Sequence, residues 1–161
     1  MKHFDYFAPT EIIFGAGRVT EAGALAARYG KKAMLVTVPE FPAVAELYAK
    51  VKKSLSDAGV ACVHYDGVIP NPTTELVTRG AELAKAEGVD VVIGLGGGSS
   101  MDTAKAIAVE ATHPGTAWDY NCHTAGPTEQ TLPILAISTT AGTGSQTTPC
   151  AVITKTSAKD K

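Results

Sequence analysis

Four short apolar runs, set apart by helical patterns or loops and bounded by glycine or proline, constrain this chain more than any other feature. The runs are Ala33 to Val38, Val60 to Tyr65, Val89 to Leu95 and Leu132 to Ile137. Each is mostly apolar and often β-branched, which suits a strand buried on both faces of a parallel sheet. Val44, Leu47, Val51, Leu55 and Ala58 recur at steps of three and four, with Gly59 placed to end the helix. Leu76, Val77, Gly80, Leu83 and Ala84 repeat the pattern before Gly88, and Ala104, Ile107, Ala108 and Ala111 repeat it after a glycine-rich turn. Parallel strands need crossover connections, and those are almost always right-handed helices. The expected fold class is therefore α/β, a doubly wound, mainly parallel, Rossmann-like sheet. An extended stretch around Glu11 to Phe14 precedes the alternation. His113 to Thr131, rich in Thr, Gly and Pro, reads as one long loop, and loops of that length in compact domains often serve function.

At 161 residues the chain is about the size of one domain and long enough to bury a real core. Its 14 basic and 16 acidic residues give a net charge of -2, which leaves no electrostatic footprint for nucleic acid or an anionic membrane. Small ligands fit better. Cys62, Cys122 and Cys150 form no CxxC pair and leave an odd thiol, which points to a reducing cytoplasm. The opening residues lack the apolar segment of a signal peptide, and no apolar run approaches the ~20 residues of a membrane helix.

The run Val89 to Leu95 leads into Gly96-Gly97-Gly98-Ser99-Ser100 and a helix beginning near Met101. Glycines let a phosphate approach the main chain, and a helix N-terminus offers free N–H groups with partial positive charge. The segment is a candidate pyrophosphate cradle, although three glycines also serve as a bare turn. It departs from G-x-G-x-x-G, because the last glycine would fall on Ser99. Ser99 and Asp102 have the spacing of a capping box, so they also read as a plain helix end. Alternatively the Asp102 carboxylate accepts from an amide donor such as a nicotinamide carboxamide, with Lys105 balancing its charge. Ser138-Thr139-Thr140-Ala141-Gly142-Thr143-Gly144-Ser145 follows the fourth run and carries hydroxyls where α/β sheets bind ligands. Pro70-Asn71-Pro72-Thr73 is a third candidate, read most simply as a rigid turn with Thr73 capping the next helix.

Together, the DGVIPNPT of Asp66 to Thr73, the GGGSSMDTAKAI of Gly96 to Ile107 and the STTAGTGSQTT of Ser138 to Thr148 resemble the iron-containing (group III) alcohol dehydrogenase family. The resemblance begins at the FGAG of Phe14 to Gly17 and covers the whole chain, in the order of the family's N-terminal half. It implies a domain like the N-terminal domain of dehydroquinate synthase, with residues 1–161 forming one dinucleotide-binding unit. Glycerol dehydrogenases and dehydroquinate synthases share a similar GGG-x-x-x-D-x-x-K segment, whereas the TTAGTGS loop looks like the alcohol dehydrogenase branch. Carried over by position, Gly97, Gly98 and Ser99 meet the pyrophosphate behind Gly96, and Asp102, Thr139, Thr140 and Thr143 line the cofactor cleft. Asn71 and Lys161 also match family cofactor positions. Val38 stands where many NAD-using members carry an acidic residue for the ribose, Gln146 where Glu is frequent, and Cys150 where some members have a polar side chain facing the cofactor. With Glu40 close by and no Arg or Lys following Val38, NAD is the expected coenzyme over NADP.

Alcohol oxidation needs a metal or a positioned base to stabilise the alkoxide. His3, His64, His113 and His123 stand alone in the sequence, with no ligand spacing, and read as surface or loop residues. In the family, one Asp and three His of an all-helical C-terminal domain hold iron. The expectation is therefore an inactive piece without that domain, self-associating, whose full-length form exchanges hydride between an alcohol or aldehyde and a nicotinamide dinucleotide. The rival expectations are a stand-alone nucleotide-binding or interaction module without catalysis, or the glycerol dehydrogenase branch of the same fold.

Overall fold

The computed structural model describes residue 3, residues 8–120 and residues 126–158. After a 3₁₀ turn at Arg18–Glu21 come α1 (Ala22–Ala26), β1 (Lys32–Val36), α2 (Pro42–Asp57), β2 (Ala61–Tyr65), α3 (Thr74–Glu87), β3 (Val91–Gly96) and α4 (Gly98–Glu110). A 3₁₀ turn at Ala117–Tyr120 then precedes β4 (Ile134–Ser138). The sheet has the order β2-β1-β3-β4, and every pairing is parallel. The four expected strands are thus present, with their ends moved by one or two residues.

Local chemistry accounts for the helix limits. Proline opens α2, where its missing N–H has no intrahelical acceptor to lose. The Leu76 N–H donates to Thr73 Oγ1 at 3.4 Å, so Thr73 caps α3 as its position suggested. Gly59 and Gly88, at φ 69° and 62°, turn the chain out of α2 and α3 in the left-handed region.

Strand alternation builds two cores. Ala33, Leu35, Val91, Ile93 and Leu95 point to one face, where Ala22 and Ala26 of α1 and Tyr48, Val51 and Leu55 of α2 cover them. Met34, Val36 and Val92 point to the other, under Val77 and Ala84 of α3 and Ala104, Ile107 and Ala108 of α4. Burial on both faces explains why β1 and β3 read as continuous apolar runs. At the edge, β4 sends Leu135 and Ile137 into the first core and leaves Ile134 37% exposed.

Two parts differ from the sequence reading. Among the described residues Glu11 to Phe14 forms no strand; Ile12 and Phe14 are exposed, and Glu11 is held by Arg28 at 2.9 Å. The turn and helix over 18–26 were not anticipated, since a five-residue helix is too short to display a period.

Beyond β1, the Thr37 hydroxyl donates to the Val38 carbonyl at 2.8 Å and accepts from His64 Nε2 at 2.8 Å. The Tyr48 hydroxyl reaches the same carbonyl at 3.3 Å, and its ring meets His64 edge-on. Burial, and secondarily Lys52, hold His64 below the ordinary histidine pKa against the opposing pull of Asp66 and Glu40.

Two predictions follow from this packing. A Cβ at Gly94 would stand 2.9 Å from both Ala104 Cβ and Met101 Cα, so Gly94→Ala must push α4 off the sheet. Urea unfolding should show a loss of about 1–3 kcal/mol, and unchanged stability would mean that α4 is not seated as described. For His64, the unfolded chain takes up a proton near pH 6.5 while the folded one resists until lower pH, so stability present above about pH 6.5 is lost as pH falls through the lower folded value. Unfolding free energies of His64→Gln should therefore fall less steeply with acid than those of the parent, and parallel curves would exclude this linkage.

Candidate functional site

Parallel pairing places every strand-to-helix loop along one edge of the sheet. The chain leaves β1 toward β2 on one side and returns to β3 on the other, so the carboxyl ends of β1 and β3 flank a topological switch point, where open α/β sheets form their ligand crevice. The turn after β3 starts α4 there. Gly97 is the N-cap, and no side chain caps this end, so the first-turn N–H groups face outward with the positive end of the helix dipole.

The glycines of this turn divide their tasks. Gly96 has φ 146°, and a Cβ on it would lie 2.5 Å from Ser100 Oγ, so the turn itself requires glycine. Gly97, at φ -82°, imposes no such demand. A Cβ on Gly97 would meet Thr140 Oγ1 at 3.6 Å, and one on Gly98 would meet Thr143 Cβ at 3.6 Å, both ordinary contacts. These two glycines leave open the gap between the start of α4 and the loop after β4. The space is that of the side chain each glycine lacks, lined by main-chain N–H groups and by threonine side chains. In the same turn Ser100 Oγ is buried and finds no hydrogen-bond partner among the described residues.

The loop after β4 is attached to this turn from its first residue. The Thr139 N–H donates to the Gly96 carbonyl at 2.9 Å, while Thr139, Thr140 and Thr143 remain exposed. The Thr143 hydroxyl accepts the Ser145 N–H at 3.3 Å and donates to Gln146 Oε1 at 3.4 Å. The structure thus brings Gly96, Gly97, Gly98, Ser99, Thr139, Thr140 and Thr143 together.

Asp102 and Lys105 lie one turn apart on α4, with side chains only 13% and 9% exposed. Because α4 starts at Gly98, Ser99 already lies inside the helix and the anticipated capping box does not form. Asp102 Oδ1 accepts the Ser145 hydroxyl at 2.7 Å, and Oδ2 accepts the Val152 N–H at 3.1 Å. The Lys105 ammonium donates to Ser145 Oγ at 2.9 Å and to the Cys150 carbonyl at 2.6 Å, and stands 3.5 Å from Asp102 Oδ1. Burial draws the lysine below its usual pKa, and the nearby Asp102 opposes the shift. That Ser145, the Cys150 carbonyl and the Val152 N–H complete this pair was not read from the sequence. The available signal was a charged pair on a helix built mostly of apolar or small residues, since such charges must find partners.

Asn71 also sits at the carboxyl edge, in the left-handed region at φ 51°, a conformation that asparagine tolerates better than most residues. Its turn is tied down by the Thr154 N–H donating to the Pro72 carbonyl at 2.8 Å and the Thr74 N–H donating to the Thr154 carbonyl at 3.1 Å. Lys161, His123 and Cys122 lie outside the described residues. His113, expected at the surface or in a loop, is buried instead: Nδ1 bonds the Val109 carbonyl at 2.9 Å and Nε2 accepts the Thr128 N–H at 3.0 Å. Both ring nitrogens are taken, so this histidine staples the long loop to the end of α4. Among the described residues, no three His, Cys, Asp or Glu side chains converge on a metal position, and no helix is long and apolar enough to cross a membrane. The donor set of the described residues does not fit iron.

Comparison with known proteins agrees with this fold. A model of the family described as iron-containing alcohol dehydrogenase matches residues 9–161. A choline dehydrogenase of Bacillus subtilis is 46% identical over 158 residues, covering 96% of this chain and 39% of that protein. An NAD-dependent methanol dehydrogenase of Bacillus methanolicus is 36% identical over 157 residues, covering 98% of this chain and 41% of that protein. Among solved structures, an archaeal halo-thermophilic alcohol dehydrogenase from a Red Sea brine pool, bound to NZQ, superposes with a TM-score of 0.90 at 42% identity, covering 96% of this chain and 41% of that one. The chain thus spans about two fifths of the length of these relatives. On this match of sequence and fold, the chain belongs to the iron-containing alcohol dehydrogenase family.

Proposed function

We propose that this chain forms the dinucleotide-binding half of an NAD(P)-linked alcohol dehydrogenase that passes hydride between an alcohol or diol and a nicotinamide cofactor. The observation that carries the reading is the gap that Gly97 and Gly98 leave between an uncapped helix start and Thr140 and Thr143. In this reading the first-turn N–H groups of α4 hold the pyrophosphate, with Gly96 shaping the turn and Ser99 adding a hydroxyl. Thr139, Thr140 and Thr143 form the facing wall, Asn71 contributes from its margin, and Lys161 is assigned to the cofactor by its family position alone. Asp102 reaches the cleft only through its residual exposure, because both carboxylate oxygens already hold protein donors. A bound nicotinamide dinucleotide supplies the hydride acceptor or donor, and this chain's part is to bind and orient it.

NAD is favoured over NADP. Val38 neither bonds a ribose hydroxyl nor pairs with a phosphate, and the charge of Glu40 is felt by both Tyr48 and His64 at the end of β1. Iron belongs, in this reading, to the part of the relatives that this chain does not span, and so does the choice of alcohol: relatives named for choline and for methanol match over the same stretch. By itself the chain binds cofactor without turnover. It also self-associates, an expectation supported by the exposed Ile12 and Phe14.

Two experiments test the proposal. Calorimetry should show NAD binding, with NADP weaker. Gly97→Ala, whose Cβ meets only ordinary contacts, should fold normally yet lose at least tenfold in affinity. Unchanged affinity in that variant, or no binding by the parent, would remove the cradle. Separately, metal content and NAD(P)H formation from primary alcohols and diols should be nil for the 161-residue chain and present for a version extended to the length of its relatives. Stoichiometric iron with turnover in the short chain would refute the division of labour, and an inactive, metal-free long form would favour a binding module.

A further inference from the structure

We propose that Lys105 is a positioning residue of the cleft, whose buried ammonium locks the segment after β4 onto α4 and so sets the wall that Thr143 presents to Gly98. The inference rests on the dinucleotide reading above for its ligand, but its geometry stands independently. The Lys105 side chain is buried, yet its closest bonds are not to its charged neighbour: Asp102 lies at 3.5 Å, while Ser145 Oγ and the Cys150 carbonyl lie at 2.9 and 2.6 Å. Three ammonium protons therefore meet three acceptors, two of them on the segment after β4.

Proton directions are fixed as well. Ser145 gives its hydroxyl proton to Asp102 Oδ1, so its lone pair is what Lys105 binds. Asp102 takes the Val152 N–H on its other oxygen. Two side chains one helical turn apart thus hold the segment at residues 145, 150 and 152. The effect passes to the cleft in one step, because the Ser145 N–H donates to the Thr143 hydroxyl, and Thr143 is the residue a Cβ on Gly98 would touch. The remaining described link between residues 139–144 and the α4 turn is the Thr139 N–H to the Gly96 carbonyl. A buried ion pair adds little net stability when an apolar side chain could replace it, so a grip of this kind is better explained by the placement it enforces than by the stability it confers.

The test compares the parent chain with Lys105→Met, which keeps length and loses the donors, and Ser145→Ala, which removes only the shared hydroxyl. Amide hydrogen exchange and NAD calorimetry are read at a temperature where each variant is folded. The expected result is that amides of 139–146 exchange at least tenfold faster in Lys105→Met while β1 and β3 amides are unchanged, and that NAD binds at least tenfold more weakly. Ser145→Ala should move both readouts in the same direction by a smaller factor. Should Lys105→Met fail to fold, Ser145→Ala decides alone. Exchange of the segment and NAD affinity both at parental values in the folded variants would overturn the inference. If the parent binds no dinucleotide, the functional reading fails, and the exchange data still decide whether Lys105 holds the wall.

Discussion

Parallel pairing is the constraint on which the rest of this structure depends. Four strands running the same way send every outgoing loop to one edge, so the turns after β1, β3 and β4 all lie there, and those after β3 and β4 touch. The same pairing demands helices on both faces, which gives β1 and β3 their continuous apolar runs and divides the interior into two cores. The order β2-β1-β3-β4 then places the crevice where the chain changes direction. Site and core are therefore consequences of a single topological choice.

Helix α4 is where the two meet. It lies so deep that even its polar residues are buried, Thr103 completely and Ser100 nearly so. A helix in that position cannot solvate a charge, so the Asp102 and Lys105 pair is completed by a hydroxyl, a carbonyl and an amide of another segment. The glycines beside it separate into those the fold requires, Gly94 for the approach of the helix and Gly96 for the turn, and those that leave space, Gly97 and Gly98. A packed base under an open rim is how an α/β fold presents main-chain donors to a ligand without loosening its interior.

Much of this was legible in the sequence because it follows from period and punctuation. The strand runs, the helices over Val44 to Ala58 and Leu76 to Ala84, and the cap at Thr73 all depend on neighbours in the chain. The motifs after β3 and β4 could be placed at strand ends for the same reason, and parallel pairing made them adjacent. What stayed hidden depended on partners far along the chain. Ser99 and Asp102 have the spacing of a capping box, but α4 begins before Ser99 and Asp102 turns instead to Ser145 and Val152. Glu11 to Phe14 read as an extended stretch, and among the described residues it joins no strand of the sheet. His113 looked solitary until Thr128 folded back onto it, and only folding reveals that its ring is fully occupied.

The grip of α4 on the segment after β4 has a consequence for how this sequence can drift. Lys105 holds position 150 by its carbonyl, and Asp102 holds position 152 by its N–H, so these two hydrogen bonds use neither the Cys150 thiol nor the Val152 isopropyl group. Every residue type offers that carbonyl, and every residue except proline offers that N–H. The path of the wall is encoded in the helix that clasps it, and the wall's own letters at 150 and 152 are left open to substitution, so the cleft's lining can change while its shape is kept.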